Sequence, residues 1–221
     1  MKYILLIFVL VALTGCVIIL PDGVAPINNL SHINSLSHTE TSLVKSAAEN
    51  GYNHISNDTN IRLISELPGK LGNWPEKLGR YVINYELSQH GLGYSKRYNE
   101  GSIWADVYFF HARQTGMTDG IESEQFIDLW EQSISADSFV RKCDIKDKTD
   151  TVETFNGMKL RKCQLAIIVG GKELESLMFM TVFRETFLKV RISYRPDYKN
   201  AEIEINRFMN DLIDSLNKRK I

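Results

Sequence analysis

Residues 102–111 read Ser-Ile-Trp-Ala-Asp-Val-Tyr-Phe-Phe-His. Side chains along a β-strand point alternately to two faces, so this stretch separates into two sets. One set is Ile103, Ala105, Val107 and Phe109, and the other is Trp104, Asp106, Tyr108 and Phe110. Because both sets are largely apolar, the stretch predicts a central strand that is covered on both faces.

Downstream of this strand, turn signals alternate with helix and strand patterns. Ser123 is a favourable N-cap and predicts a helix that runs to about Asp137. Strand patterns resume at Phe139, and Asn156-Gly157 is a strong signal for a hairpin turn. A further hairpin is predicted across Arg184-Glu185-Thr186.

The last element is predicted to be a helix from about Asn200 to Asn217. Its apolar residues recur at helical spacing and form one stripe, which consists of Ile205, Phe208, Met209, Leu212, Ile213 and Leu216. Strands outnumber helices, and their connections look like hairpins rather than crossovers. We therefore expect an α+β fold in which an antiparallel sheet is packed with helices.

The order of elements resembles the PsbP-like fold, and the chain is also similar to a group of exported bacterial envelope proteins. Residues 104–108 and Phe187 to Tyr194 carry this likeness, which extends over about Leu67 to Leu216. The resemblance implies the fold and export from the cytoplasm. It implies no catalytic residues, because its motifs are structural.

The N-terminus has the pattern of a signal peptide. Lys2 precedes an apolar run from Tyr3 to Leu13, and the run ends in Leu13-Thr14-Gly15-Cys16. That ending resembles the lipobox of bacterial lipoproteins, in which cleavage precedes the cysteine and the cysteine is acylated with fatty acids such as palmitate. The resemblance implies a signal peptide over residues 1–15, a lipidated tether over 16–62 that begins at Cys16, and a single α+β domain over 63–221.

Apolar residues resume after Cys16, so Tyr3 to Leu20 is also about long enough for an uncleaved transmembrane helix. The lipoprotein interpretation is favoured because Thr14-Gly15-Cys16 interrupts the run where a lipobox requires it. Val17 is not aspartate, the residue that favours inner-membrane retention in the Gram-negative sorting pattern. By resemblance, this predicts attachment to the outer membrane, facing the periplasm.

Two further cysteines, Cys143 and Cys163, are candidates for a disulfide in an oxidising compartment, and buried thiols are the alternative. A two-residue turn at Asn156-Gly157 with unbroken pairing would place Cys163 opposite Asp150. The bridge would therefore require a bulge or a break between Lys146 and Asp150.

The sequence contains no pattern that indicates a catalytic, cofactor or metal site. The GxSxG, HExxH and phosphate-binding glycine motifs are absent, so we predict no enzyme activity. The formal net charge of −1 gives no overall basic field to attract nucleic acid. His111 and Asp106 are the residues that come closest to a catalytic pattern. A satisfied histidine at a strand end and a cross-strand ion pair with an arginine are the favoured interpretations.

Two surfaces are candidates for binding. Lys189, Arg191 and Arg195 share one face of a predicted strand and form a possible docking face for an envelope protein, a glycan or lipid headgroups. The alternative is a solvated sheet face with cross-strand ion pairs. The aromatic residues Trp74, Trp104, Tyr108 and Phe110 could instead line a pocket for a small apolar or sugar ligand. Core packing under a helix is the favoured interpretation for most of them. We predict a membrane-anchored envelope lipoprotein that acts as a non-catalytic binding or accessory protein, with such a ligand-binding module as the alternative.

Overall fold

In the computed structural model, residues 55–77, 83–84, 93–140, 144–169 and 171–218 are described. The elements in chain order are α1 (Ile55–Ser65), β1 (Lys70–Leu71), β2 (Trp74–Pro75), β3 (Ile83–Asn84), β4 (Tyr94–Glu100), β5 (Ile103–Phe110), α2 (Glu124–Val140), β6 (Asp144–Phe155), β7 (Met158–Val169), β8 (Lys172–Phe183), β9 (Thr186–Tyr194) and α3 (Ala201–Asn217). Strands β1 and β2 pair with each other, and the other seven strands form one sheet in the order β3-β4-β5-β9-β8-β7-β6. Every strand pair is antiparallel. The predicted α+β class is confirmed.

The hairpin turns lie where the sequence predicts them. Asn156 and Gly157 both have positive φ angles, 43° and 84°, as a two-residue type I′ turn requires. Arg184 and Glu185 have φ angles of 53° and 58° without any glycine, a conformation that costs a non-glycine residue roughly 1–2 kcal/mol. The pairing of β8 with β9 supports that turn, because it continues without a break from Phe183 and Thr186 to Glu175 and Tyr194.

Helix α3 covers one face of the sheet. Its buried side chains are the six predicted from the apolar stripe: Ile205, Phe208, Met209, Leu212, Ile213 and Leu216. The ring of Phe208 packs against Trp74, with 4.7 Å between centroids, and against Tyr98, at 5.6 Å. The β1–β2 hairpin is fixed to the same helix, because the Gly72 N–H donates to Asp211 Oδ2 at 2.9 Å.

Helix α2 lies on the opposite face. The hydroxyl of Ser123 accepts a hydrogen bond from the Phe126 N–H at 3.2 Å, so the predicted N-cap is present. Near its other end, the prediction of a strand from Phe139 is wrong, because the helix continues through Val140 and β6 begins at Asp144. The apolar residues that suggested a strand also satisfy a helix, and short apolar runs do not distinguish the two.

The fold begins earlier in the sequence than the predicted boundary at residue 63, which falls inside α1. Leu63 and Ile64 are buried in the main core, and Asn60 is also buried. The Thr186 hydroxyl is hydrogen-bonded to the Asn60 side-chain amide and donates to the Phe110 carbonyl oxygen at 2.8 Å. The last residues of the predicted tether therefore belong to the folded part.

Candidate functional site

The predicted docking residues do not share one exposed surface. Lys189 is 6% exposed and Arg191 is 3% exposed, whereas Arg195 is exposed and pairs with Asp197 at 2.9 Å. Strand β9 is the middle strand of the seven, and its residues 186–193 are all buried. Lys189 and Arg191 are therefore not available as an exposed docking face. The alternation along the strand gives the orientation of these side chains correctly but does not reveal that both faces are covered.

Three charged residues lie side by side across β4, β5 and β9. Asp106 is opposite Arg97 on one side and Arg191 on the other, and we call this set the charged row. The Arg97 guanidinium binds the Asp106 carboxylate with both donors, Nε to Oδ1 at 2.5 Å and Nη2 to Oδ2 at 2.7 Å. The predicted cross-strand ion pair between Asp106 and an arginine is confirmed, and its partner is Arg97. Pattern reasoning did not single out Arg97, because it depends on the pairing register.

Arg191 and Lys189 also contact side chains on neighbouring strands. Arg191 Nη2 donates to the Ser176 hydroxyl at 3.0 Å. Lys189 Nζ lies 5.7 Å from the centre of the Tyr108 ring, within the range of a cation–π contact. Both oxygens of the Asp106 carboxylate are already bound by Arg97, so this group is poorly placed to act as a general base.

The aromatic residues considered for a ligand pocket are mainly part of the core. Trp74 is fully buried against Phe208, and Phe110 packs against Phe187 with 5.4 Å between ring centroids. Tyr108 is buried, and Trp104 is half-buried. This packing favours the core interpretation over a pocket lined by aromatic walls.

His111 is buried directly after the last residue of β5, at the strand end where the sequence predicts it. Its Nδ1 accepts a hydrogen bond from the Arg113 N–H at 3.0 Å. Ala112 and Arg113 have φ angles of 49° and 61°, so the chain turns sharply directly after the histidine. The hydrogen bond from Arg113 to the imidazole therefore stabilises the turn formed by Ala112 and Arg113.

Cys163 is buried in β7 and lies opposite Asp150, the register that unbroken pairing from the Asn156-Gly157 turn predicts. A register shift between Ile145 and Asp147 provides an irregularity of the kind that the proposed bridge requires. However, Asp144 pairs with Ile168, which is five residues along β7 from Cys163, roughly 17 Å at about 3.3–3.4 Å per residue. Cys143 itself lies outside the described residues.

Two tyrosines near the end of β9, Tyr194 and Tyr198, have raised pKa values. Burial raises the pKa of Tyr194, and the nearby carboxylates of Glu175 and Glu202 raise it further. The pKa of Tyr198 is raised in the same way, by burial and then by Glu204 and Glu100. Both phenols therefore remain protonated donors well above neutral pH.

Among the described residues, no three or more histidine, cysteine, aspartate or glutamate side chains are grouped so that they could hold a metal ion. Within the same part of the chain, no helix has the length and apolar character needed to span a membrane. The predicted lipidation site, Cys16, lies outside the described residues.

No model of a known protein family matches the chain, and no curated protein is significantly similar to it.

Proposed function

We propose that this protein is a lipoprotein of the bacterial cell envelope, attached to the membrane through acyl chains on Cys16. The sequence Leu13-Thr14-Gly15-Cys16, at the end of an apolar signal-like run, carries the proposal. Acylation contributes about 0.8 kcal/mol of membrane affinity per buried methylene, so a multiply acylated cysteine anchors a soluble domain firmly. Val17 favours the outer membrane, with the domain in the periplasm.

We also propose that the domain has the PsbP-like fold. The early strands, the single helix α2, the meander β6 to β8 and the terminal helix α3 follow the order that suggested a PsbP-like domain. This agreement in order supports the PsbP-like assignment.

The domain is proposed to act by binding an envelope protein or glycan, without catalysis and without a cofactor. The proposal is supported by the contacts of Asp106 and His111, the two residues that come closest to a catalytic pattern. The Asp106 carboxylate is bound on both oxygens by Arg97, and the His111 Nδ1 is occupied by a backbone N–H. The Asp106 carboxylate and the His111 Nδ1 therefore both take part in holding the fold.

The alternative function is a binding module for a small apolar or sugar ligand. It would use aromatic side chains as walls, and the half-buried Trp104 is the one predicted wall residue that is not buried. Since Trp74 and Phe110 pack against other rings in the core, the accessory role is the better supported of the two.

Replacing Cys16 by serine tests the anchor. We expect the Cys16→Ser protein to leave the membrane fraction and to lose the mass of the acyl chains, measured by fractionation and intact-mass spectrometry. Cys143→Ser is the matched control, because it makes the same chemical change outside the lipobox and should leave the protein acylated. A Cys16→Ser protein that stays membrane-bound after high-salt washing would show instead that Tyr3 to Leu20 acts as a transmembrane helix.

The binding role is tested by cross-linking the full chain in intact envelopes and identifying the attached molecules by mass spectrometry. A recurrent protein or glycan that is captured by the wild type and reduced with Cys16→Ser would support a membrane-localised accessory role. Saturable binding of a small sugar or apolar probe, abolished by Trp104→Ala, would favour the alternative.

A further inference from the structure

The outer edge of the main sheet is formed by β6, which is 12 residues long. Three residues before the end of this strand, Val152 is 54% exposed, one of three large apolar side chains exposed among the described residues. Exposed apolar residues on a long edge strand mark a place where another strand can pair. No described strand pairs with this edge of β6.

The hairpin fixes which backbone groups face outward. Phe155 and Met158 flank the two-residue turn and form its closing pair, which is hydrogen-bonded in this type of hairpin. Because hydrogen-bonded and non-hydrogen-bonded pairs alternate, the N–H and C=O groups of Asp150, Val152 and Thr154 point away from β7. They form a row of donors and acceptors along the edge.

The charges that would normally protect such an edge are neutralised within the hairpin. Arg161 binds both oxygens of Asp150 at 3.0 Å, and the Trp130 Nε1–H donates to the same carboxylate at 3.1 Å. Lys162 Nζ lies 2.6 Å from Glu153 Oε1. An approaching strand therefore meets little repulsion from these two carboxylates.

The sequence of this edge is complementary to itself. Residues 150–154 read Asp-Thr-Val-Glu-Thr, so antiparallel pairing of two copies about Val152 places the two valines opposite each other. The same register places Asp150 opposite Thr154 and Thr151 opposite Glu153, so each carboxylate faces a hydroxyl. Pairing centred on Asp150 would instead oppose two aspartates, which is unfavourable.

We propose that two copies of this chain associate through their β6 edges, in antiparallel pairing centred on Val152. The outward groups of Asp150, Val152 and Thr154 are then in register with those of the second copy, and the two main sheets become one. The contact is isologous, since each copy contributes the same strand about a two-fold axis. The proposal does not depend on the anchor or on the binding role.

Sedimentation velocity of the full chain in density-matched detergent, over a concentration series, tests this proposal. We expect the wild type to reach twice the monomer mass. Val152→Lys should keep the protein monomeric, because it opposes two ammonium groups at the two-fold axis. Val152→Pro should do the same, because the Val152 N–H points outward and its loss removes an intermolecular bond while leaving the pairing with β7 intact. Val152→Thr is the matched control and should still dimerise.

Cross-linking supplies an independent measurement. A short bismaleimide should join two Val152→Cys chains efficiently, whereas Ser102→Cys, at an exposed turn, should give only the background of the wild type. A wild type that remains monomeric across the series overturns the proposal. So does a dimer that survives both Val152→Lys and Val152→Pro while circular dichroism reports native folding, because such a dimer uses another surface.

Discussion

The two faces of the central sheet are both buried, but they are held together in different ways. The α3 face presents apolar residues, among them Val107, Leu188 and Val190. The opposite face, on which α2 lies, carries the charged row and the buried Lys189. The α3 face is stabilised by the burial of apolar surface, which does not require the side chains to meet in a particular direction. The α2 face also buries apolar side chains, such as Met180 and Phe187, but it adds ion pairs and hydrogen bonds that form only in one geometry.

The largest expected effect is on the α3 face. Phe208→Ala removes a fully buried ring that packs against Trp74 and Tyr98, and we expect it to lower the free energy of unfolding by about 4 kcal/mol. Urea unfolding followed by circular dichroism measures the change. Arg207→Ala is the control, because this neighbour is exposed and its ion pair with Glu204 should contribute less than about 1 kcal/mol. A loss below about 1 kcal/mol for Phe208→Ala would mean that α3 does not cover the main core.

A slightly smaller effect is expected on the α2 face. Arg97→Met leaves the buried Asp106 carboxylate without the guanidinium that binds both its oxygens, and we expect a loss of about 3 kcal/mol. The double change Arg97→Met with Asp106→Leu should recover part of this loss, because it removes the ion pair as a unit while Arg191 stays buried opposite position 106.

Arg195→Met is the control for that experiment, because its ion pair with Asp197 is exposed and should contribute very little. If the loss of unfolding free energy in the double variant equals the sum of the losses in the two single variants, Arg97 and Asp106 are not energetically coupled. The two faces would then not differ as described.

The smallest expected effect concerns Cys163, which lies on the α2 face. The register places Asp144 roughly 17 Å from Cys163, and a disulfide requires Cα atoms within about 7 Å. Since neighbouring Cα atoms are about 3.8 Å apart, we expect no bridge between Cys143 and Cys163 of one chain. Reducing agent should therefore leave the free energy of unfolding unchanged. Identification of a peptide containing both cysteines joined by a disulfide would contradict the register.

The sequence was most informative where one periodicity governs an entire element. All six residues of the α3 stripe are buried as predicted, because a helix on a sheet has one buried face and one solvated face. The Asn156-Gly157 turn was predictable for a similar reason, since few residue pairs accept two positive φ angles.

Prediction was wrong or incomplete where tertiary contacts decide the outcome. The alternation in β9 separates Lys189 and Arg191 from Val190 correctly, but coverage of both faces depends on elements far away in the sequence. The start of the fold was placed too late because α1 has little apolar character before Leu63, and its buried Asn60 is held by a hydrogen bond to Thr186. Arg97 could be identified as the partner of Asp106 only from the strand register.

The bond between Asn60 and Thr186 has a mechanical consequence. Among the described residues α1 comes first, so a force applied to the chain at the start of α1 would be transmitted to the sheet through this helix. Thr186 begins β9, the middle strand, and its hydroxyl also reaches the end of β5. The load is thus delivered to the centre of the sheet, where neighbouring strands share it, and not to an edge strand that could be peeled away one bond at a time.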